Sequence, residues 1–269
     1  MTDPDTDSSD RVGPAKRDDD LEEWSPITTA SLLSDALGRL YRNPSVLVGV
    51  MVAGVLVTAV DVVRRGDPVP TVGYAGLQTG DVRIAFGVVV NVISQNPTPP
   101  TALVDLEPIW LARTVWLEVL RGGAVVLASI YGFATLLDVR VHVSNTARYL
   151  IAFGGLALIS VEIQMGLLGI PLLLVLFWIL VKLSPFPGLV VAGEPIVAAV
   201  RRGWGLTRGH GWSLFGVVLS IGITNHALAS VPVVGTVGSS LAAALHIGVV
   251  SAFIDRVETV EPVTPPPDD

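Results

Sequence analysis

Five polar or charged side chains lie inside otherwise apolar stretches of the sequence, where groups of these types bind protons, cations or polar solutes. They are Glu162, Lys182, Asn225, His226 and His246. An ionisable group at the centre of a bilayer costs about 2.5–3.5 kcal/mol to insert and is therefore normally paired. Glu162 and Lys182 flank Pro171 at similar distances along the chain, and the two histidines flank Gly235 in the same way. If each pair belongs to a helical hairpin, these groups reach a similar depth near the membrane mid-plane.

This mid-membrane polar cluster has two interpretations. As a functional site, it is a binding site for a substrate, a proton relay, or a metal site formed by the two histidines and Glu162. As a structural feature, it is an ion pair between Glu162 and Lys182 together with interhelical hydrogen bonds that hold the spans together. The residues favour the structural interpretation, and we expect no catalytic residue, no cofactor and no bound metal.

A second candidate site is the basic, tryptophan-containing stretch Glu194–Val218, which leads into an apolar span. Pro195 is suited to the start of a helix, on which Val197, Val200 and Trp204 share one side. We predict a helix in the membrane interface, with its apolar side at the acyl boundary and its arginines among lipid headgroups. The expected interfacial contacts are Arg201, Arg202, Trp204, Arg208 and Trp212. An ordinary basic cytoplasmic loop explains the same composition.

Part of this stretch resembles the signature of a six-helix membrane family. The residues that carry the resemblance are Glu194, Ala198, Trp204, Leu206, Thr207, Arg208, Trp212 and Phe215. The family has a block of the form basic, Ser-Trp, x-Leu-Thr-Arg-Gly between its fourth and fifth spans, and Gly203 stands here where serine is usual. It includes the membrane domain of certain glycerophosphodiester phosphodiesterases and the YciC-like membrane proteins.

The resemblance implies a six-span fold and a membrane location rather than an activity. Members of the family that hydrolyse phosphodiesters do so with a separate attached domain, and we expect none within these 269 residues. The sequence contains no His-Glu-x-x-His, no Gly-x-Ser-x-Gly and no phosphate-binding glycine loop. We therefore expect a protein that is not an enzyme.

Composition independently indicates a membrane protein. Hydrophobic residues make up 51% of the chain and charged residues 15%, and the mean hydropathy is +0.63, too apolar for an ordinary soluble domain of this length. The absence of cysteine excludes disulfides, thiolate-bound metal and thiol nucleophiles. The net charge of -7 comes largely from the first 23 residues. An acidic chain rich in Ala, Val and Gly resembles proteins of salt-loving archaea, and the alternative is one acidic tail on a neutral body.

We predict an all-α, polytopic membrane fold with about six spans in residues 25–255. The spans are Val46–Val63, Gly122–Leu137, Tyr149–Gly169, a proline-interrupted span from Pro171 to about Gly193, Ser213–Val231 and Val237–Ile254. Each approaches the length that crosses about 30 Å of hydrocarbon as a helix. Besides the Glu194 stretch, interfacial amphipathic helices are expected at residues 25–43 and at Ile109–Leu120. Residues 1–24 and 256–269 are predicted to be disordered tails.

Two smaller patterns concern packing. The sixth span has a small-residue face formed by Ala244, Gly248 and Ala252, which predicts close helix contact within the chain rather than a dimer seam. In the predicted outer loop at residues 64–108, the apolar patch Ile84–Ile93 is too short to span a membrane as a helix. We predict that it is a strand or an interfacial plug.

The distribution of arginines orients the chain, because basic loops stay on the cytoplasmic side. With the N-terminus inside, the following arginines all lie inside: Arg39, Arg42, Arg140, Arg148, Arg201, Arg202, Arg208 and Arg256. Both termini are therefore predicted to be cytoplasmic in a multi-pass protein of the cell membrane. Such a surface attracts anionic lipid headgroups and not nucleic acid. We expect a non-enzymatic membrane component that engages lipid or other membrane proteins; the alternative is a small-solute or ion transporter that uses the mid-membrane groups.

Overall fold

The computed structural model describes residues 26–71, 90–96, 98–104, 106–158, 169–231 and 235–260. Throughout these ranges the regular structure is helical, with no strand. The helices are α1 (Thr29–Arg42), α2 (Pro44–Arg65), α3 (Pro108–Leu136), α4 (Val143–Leu158), α5 (Gly169–Leu183), α6 (Phe186–Val191), α7 (Ile196–Leu206), α8 (Gly211–Ala229) and α9 (Gly235–Val260), with a 3-10 turn at Pro100–Leu103.

Within the described residues, five helical stretches are long and apolar enough to cross a membrane. They are Pro44–Arg65, Pro108–Leu136, Leu174–Val191, Gly211–Ala229 and Gly235–Thr259. Large apolar side chains such as Val52, Trp116 and Ile223 are exposed on their outer surfaces, as lipid-facing residues are. The chain is a polytopic α-helical membrane protein, which confirms the predicted fold class. The predicted span Tyr149–Gly169 begins in α4 and continues into residues 159–168, which lie outside the described residues.

Helix α9 is the centre of the bundle and packs most extensively against α1, α2 and α8. It runs antiparallel to α2, and a Cβ added at Gly54 of α2 would overlap the Ser240 hydroxyl of α9. On α3, a Cβ at Gly132 would come within 3.0 Å of the Ile247 side chain and 3.2 Å of Val46. The missing side chains allow these helices to approach closely, as small residues do in membrane bundles.

The small-residue face of α9 packs within the chain, as predicted. Ala244 and Ala252 are fully buried, and a Cβ added at Gly248 would come within 3.1 Å of the Cβ of Ala36 on α1. Helix α1 therefore lies directly on α9. Its buried residues are Leu32, Ala36 and Leu40.

The antiparallel helices give the bundle two ends. The α1 end contains α1, α6, α7, the start of α8 and the last turns of α9, joined for example by the Ser213 hydroxyl donating to the Ile27 carbonyl at 2.7 Å. The loop end contains the last turns of α2, the first turns of α3, residues 90–96 and 98–104, the last turn of α8 and the first turn of α9. There the Arg64 guanidinium donates to the Thr98 hydroxyl at 2.6 Å.

The prediction of an interfacial helix at Ile109–Leu120 followed by a separate span is wrong. Helix α3 is one continuous helix of 29 residues that includes both segments. Glu118 forms ion pairs with Arg64 at 2.6 Å and with Arg121 at 2.5 Å, so two of the charges that suggested an interruption are paired within the bundle. A charged stretch with partners on a neighbouring helix can continue directly into an apolar span.

Other boundaries differ by a few residues. The Thr28 side chain caps α1 and the Ser31 side chain pairs back to the Thr28 backbone, so the helix begins at Thr29. Helix α9 continues to Val260, past the predicted start of the disordered tail at residue 256. The predicted break near Pro185 is confirmed, because α5 ends at Leu183 and α6 begins at Phe186. The predicted tail at residues 1–24, residues 84–89 of the apolar patch, and residues 261–269 lie outside the described residues.

Candidate functional sites at the two ends of the bundle

The described members of the predicted mid-membrane cluster lie at different depths. Lys182 is in the last turn of α5, next to Val181, which packs in one buried cluster with Val217 near the α1 end. His226 is in the last turn of α8, near the loop end. Nine residues of helix separate the levels of Val217 and His226, which corresponds to about 13 Å. Glu162 lies outside the described residues.

The two histidines are also offset along the bundle axis. The α8–α9 register brings Leu228 opposite Gly238 and the His210 ring to 6.1 Å from the Phe253 ring. His246 then lies at a level about 9 Å from that of His226. In the part of the chain that the structure describes, no group of His, Asp or Glu side chains is arranged to hold a metal ion. Asn225, beside His226, has a buried Oδ1 without a hydrogen-bond partner among the same residues.

The basic stretch forms an elbow, defined here as α7 together with the first turn of α8. Helix α7 packs through Ala199 and Gly203, both buried. A Cβ at Gly203 would lie 3.6 Å from the Lys182 carbonyl oxygen, which is ordinary contact, so the serine usual in the resembled family fits here. The opposite face presents Val197, with 73% of its surface exposed, and Val200. The predicted amphipathic character of this helix is present.

Two of the five predicted interfacial residues make contacts within the protein. Arg202 forms an ion pair with Glu194 at the start of the elbow and another with Glu258 of α9 at 2.5 Å. Trp204 packs edge-on against Trp178 of α5, with ring centroids 4.8 Å apart. These contacts fix α7 to the bundle.

The other three point outward. Arg201 and Arg208 are exposed, and neither forms an ion pair with another described residue. Trp212 has 86% of its surface exposed, with one edge against Phe215 at 5.9 Å between centroids. The elbow therefore displays two guanidinium groups that are unpaired among the described residues, and one amphipathic ring, on the same short segment.

The remaining ion pairs of the α1 end fasten α1 to α9. Arg39 pairs with Asp255, and Arg256 pairs with Asp35 at 2.9 Å. Arg256 also donates to the Ser31 hydroxyl at 2.9 Å. All of these side chains are partly exposed, so the pairs lie at the edge of the bundle rather than in its interior.

Comparison of the chain with protein-family models, curated proteins and solved structures finds no match. Membership of the six-helix family stays a prediction from the residues of the elbow.

The loop end contains a buried ionic network that sequence reasoning missed. Arg64 has only 3% of its side chain exposed and pairs with Glu118 at 2.6 Å. It also donates to the Thr98 hydroxyl at 2.6 Å and to the Thr114 carbonyl at 3.4 Å. Asp67 just beyond it pairs with Arg113 at 2.8 Å. These contacts tie α2, α3 and the connection between them together.

Asp61 is the second buried charge of the loop end, with 2% of its surface exposed. It accepts hydrogen bonds from the Ser94 hydroxyl and the Gln95 backbone N–H. The sequence does carry a signal for this burial, because the buried positions of α2 recur at helical spacing and include both charged residues. They are Val46, Val50, Ala53, Gly54, Val57, Val60, Asp61 and Arg64.

Proposed function

We propose that this protein is a non-enzymatic membrane component that binds anionic lipid headgroups through the elbow. The observation that carries the proposal is the outward display of Arg201, Arg208 and Trp212 on one short segment at an end of the bundle. Guanidinium groups bind phosphate through paired hydrogen bonds, and tryptophan prefers the level of the headgroups. Both preferences are met by the same layer of a bilayer.

Two carboxylates beside the elbow already have an ion-pair partner among the described residues. Glu194 and Glu258 both pair with Arg202, whose side chain lies between them. Arg202 is thus the ion-pair partner of both of these acidic groups, and among the described residues neither carboxylate pairs with Arg201 or Arg208. An anionic membrane surface attracts each nearby Lys or Arg with about 1 kcal/mol, so Arg201 and Arg208 together contribute about 2 kcal/mol of binding free energy.

The orientation belongs to the same proposal: the α1 end faces the cytoplasm. The arginines at that end include the three of α7 and its C-terminal turn, Arg201, Arg202 and Arg208. Three of the described arginines at the loop end, Arg64, Arg113 and Arg121, are in ion pairs. Exposed basic residues on the inner side agree with the way membrane proteins are inserted.

Lipid retention tests the proposal. The purified protein is exchanged into detergent with equal amounts of phosphatidylglycerol and phosphatidylcholine, and bound lipid is counted by native mass spectrometry. We expect preferential retention of phosphatidylglycerol, reduced about 30-fold in the Arg201→Gln/Arg208→Gln variant, because about 2 kcal/mol of attraction is lost.

The matched control is Arg65→Gln, which removes an exposed arginine from the loop end. It should leave the lipid preference unchanged. Equal retention of both lipids by the unmodified protein, or an equal loss in the control, would contradict binding at the elbow.

A small-solute or ion transporter is the second candidate, supported by one observation. Asp61 is a buried carboxylate inside a membrane helix, hydrogen-bonded to non-helical residues 94 and 95. Intramembrane carboxylates next to non-helical segments are common in transporters. Solute or proton flux in proteoliposomes that Asp61→Asn, Glu162→Gln or His226→Ala abolishes, without loss of folding, would support this candidate. Loss of folding in those variants, with no flux in the unmodified protein, would support the structural interpretation.

A further inference from the structure

Residues 90–96, named the strap here, cross the loop end of the bundle as a non-helical segment. Val90 and Val92 are buried in the same hydrophobic cluster as Val57 of α2. Non-helical backbone in a membrane protein needs hydrogen-bond partners from the protein itself, because lipid supplies none. The hydrogen bonds of the strap therefore show how it is held.

Two hydrogen bonds attach the strap to the α8–α9 hairpin. The Ile93 backbone N–H donates to the Ser239 hydroxyl at 3.1 Å. The Gln95 side-chain amide donates to the Ala229 carbonyl, the last residue of α8, at 3.0 Å. Both bonds lie between neutral groups, which are the weaker kind.

Two stronger hydrogen bonds attach the strap to α2, and both end on Asp61. The Ser94 hydroxyl donates to one carboxylate oxygen at 2.6 Å, and the Gln95 backbone N–H donates to the other at 2.7 Å. Among the described residues no basic side chain forms an ion pair with this carboxylate, so the strap supplies the donors that stabilise its charge. Two of the four hydrogen bonds described here between the strap and the helices thus depend on one side chain, that of Asp61.

We propose that the strap closes the loop end of the bundle and that its two hydrogen bonds to Asp61, named the latch here, hold it in place. Apart from the latch, the described contacts of the strap with the helices include two neutral hydrogen bonds and the burial of two valine side chains, whereas the helices beneath it pack against one another along whole faces. Segments with few contacts open locally at lower free energy than the fold as a whole. Weakening the latch therefore lifts the strap while the helices stay packed.

Cysteine reactivity measures the opening, because the chain has no native cysteine. The reporter is Val92→Cys, which places a small, buried thiol on the inner side of the strap. In nanodiscs we expect slow labelling by a membrane-impermeant maleimide. In the Val92→Cys background, Asp61→Asn removes the negative charge and one of the two acceptor oxygens without changing the shape of the side chain. We expect the labelling rate at position 92 to rise at least about tenfold.

Two controls separate local opening from general loosening. Asp67→Asn removes a neighbouring carboxylate that pairs with Arg113 and has no hydrogen bond to the strap among those of the described residues, so it should change the rate less than about twofold. The second reporter, Ser251→Cys, is nearly isosteric and fully buried in α9 towards the α1 end. It should stay unreactive in the Asp61→Asn background.

Three results would overturn the closure. They are fast labelling at position 92 with Asp61 intact, no acceleration by Asp61→Asn, and equal acceleration at position 251. If Asp61→Asn does not fold, Ser94→Ala removes one of the two latch bonds and should raise the rate about threefold. Absence of that increase contradicts the latch equally. None of these readouts depends on lipid binding at the elbow.

Discussion

At the loop end the central arginine, Arg64, keeps 3% of its side chain exposed, whereas at the α1 end Arg202 keeps 39% exposed. Each bridges two other elements of the fold, Arg64 through Glu118 and Thr98, and Arg202 through Glu194 and Glu258. The same residue type therefore makes comparable bridges in two very different surroundings. A buried charge must keep all its partners, whereas an exposed one can exchange them for water.

Charged residues therefore have different roles at the two ends of the bundle. The loop-end network fixes the relative positions of α2, α3 and their connection, and it offers little to the surroundings. At the α1 end Arg39, Arg202 and Arg256 pair with carboxylates, whereas Arg201 and Arg208 form no ion pair among the described residues and are, in our proposal, the arginines that bind external anions. Three experiments test this contrast.

The largest expected effect concerns the side of the membrane that each end faces. Gly66→Cys at the loop end and Gly205→Cys in the elbow both replace exposed glycines with room for a side chain. In intact cells a membrane-impermeant maleimide should label position 66 fully and position 205 only after permeabilisation. The reverse pattern would invert the proposed orientation and remove the argument for cytoplasmic lipid.

The next effect is on stability at the loop end. Arg64→Gln should lower the free energy of unfolding by about 1–3 kcal/mol, because the Thr98 hydroxyl and the Thr114 carbonyl lose a charged donor, whereas Glu118 is one-third exposed and keeps Arg121. Thermal unfolding in detergent, followed by circular dichroism, measures this change. The adjacent exposed Arg65→Gln should cost less than about 0.5 kcal/mol. Equal costs for both variants would show that the buried network contributes little.

The smallest effect is expected at the α1 end. Arg202→Gln or Arg256→Gln should each cost about 1 kcal/mol or less, because their partners stay in contact with water. This cost should shrink further as sodium chloride is raised to 1 M, where the screening length is about 3 Å. The cost of Arg64→Gln should change little with salt. If salt strongly changed the free-energy cost of Arg64→Gln and did not change that of Arg202→Gln, the contrast between the two ends would be contradicted.

Much of the fold follows from local patterns in the sequence. Long apolar stretches predict the spans, and the small-residue face of α9 predicts close helix contact within the chain, which Gly248 makes with α1. The break near Pro185 follows from proline chemistry, since proline lacks the N–H that a continuing helix needs. These features depend on neighbours in the sequence, so a single chain reveals them.

The candidate site was less predictable because its contacts join distant residues. Arg64 looked like the first residue of a loop, and only the position of Glu118 on the adjacent helix makes its burial tolerable. The depth of His226 and His246 depended on where the α8–α9 hairpin is centred, and its contacts place the centre about three residues before Gly235. An error of three residues in the centre of a hairpin displaces opposed residues by six positions, about 9 Å along the helix axis, and the sequence alone does not fix that centre so closely.

The central position of α9 has a consequence for biosynthesis. A ribosome makes α9 after every other helix described here, yet α1, α2 and α8 all rest on it. During synthesis Gly54 therefore cannot contact Ser240, and Ala36 cannot contact Gly248, until α9 has entered the bilayer. Assembly of this bundle is completed by its last-made described helix rather than built up span by span.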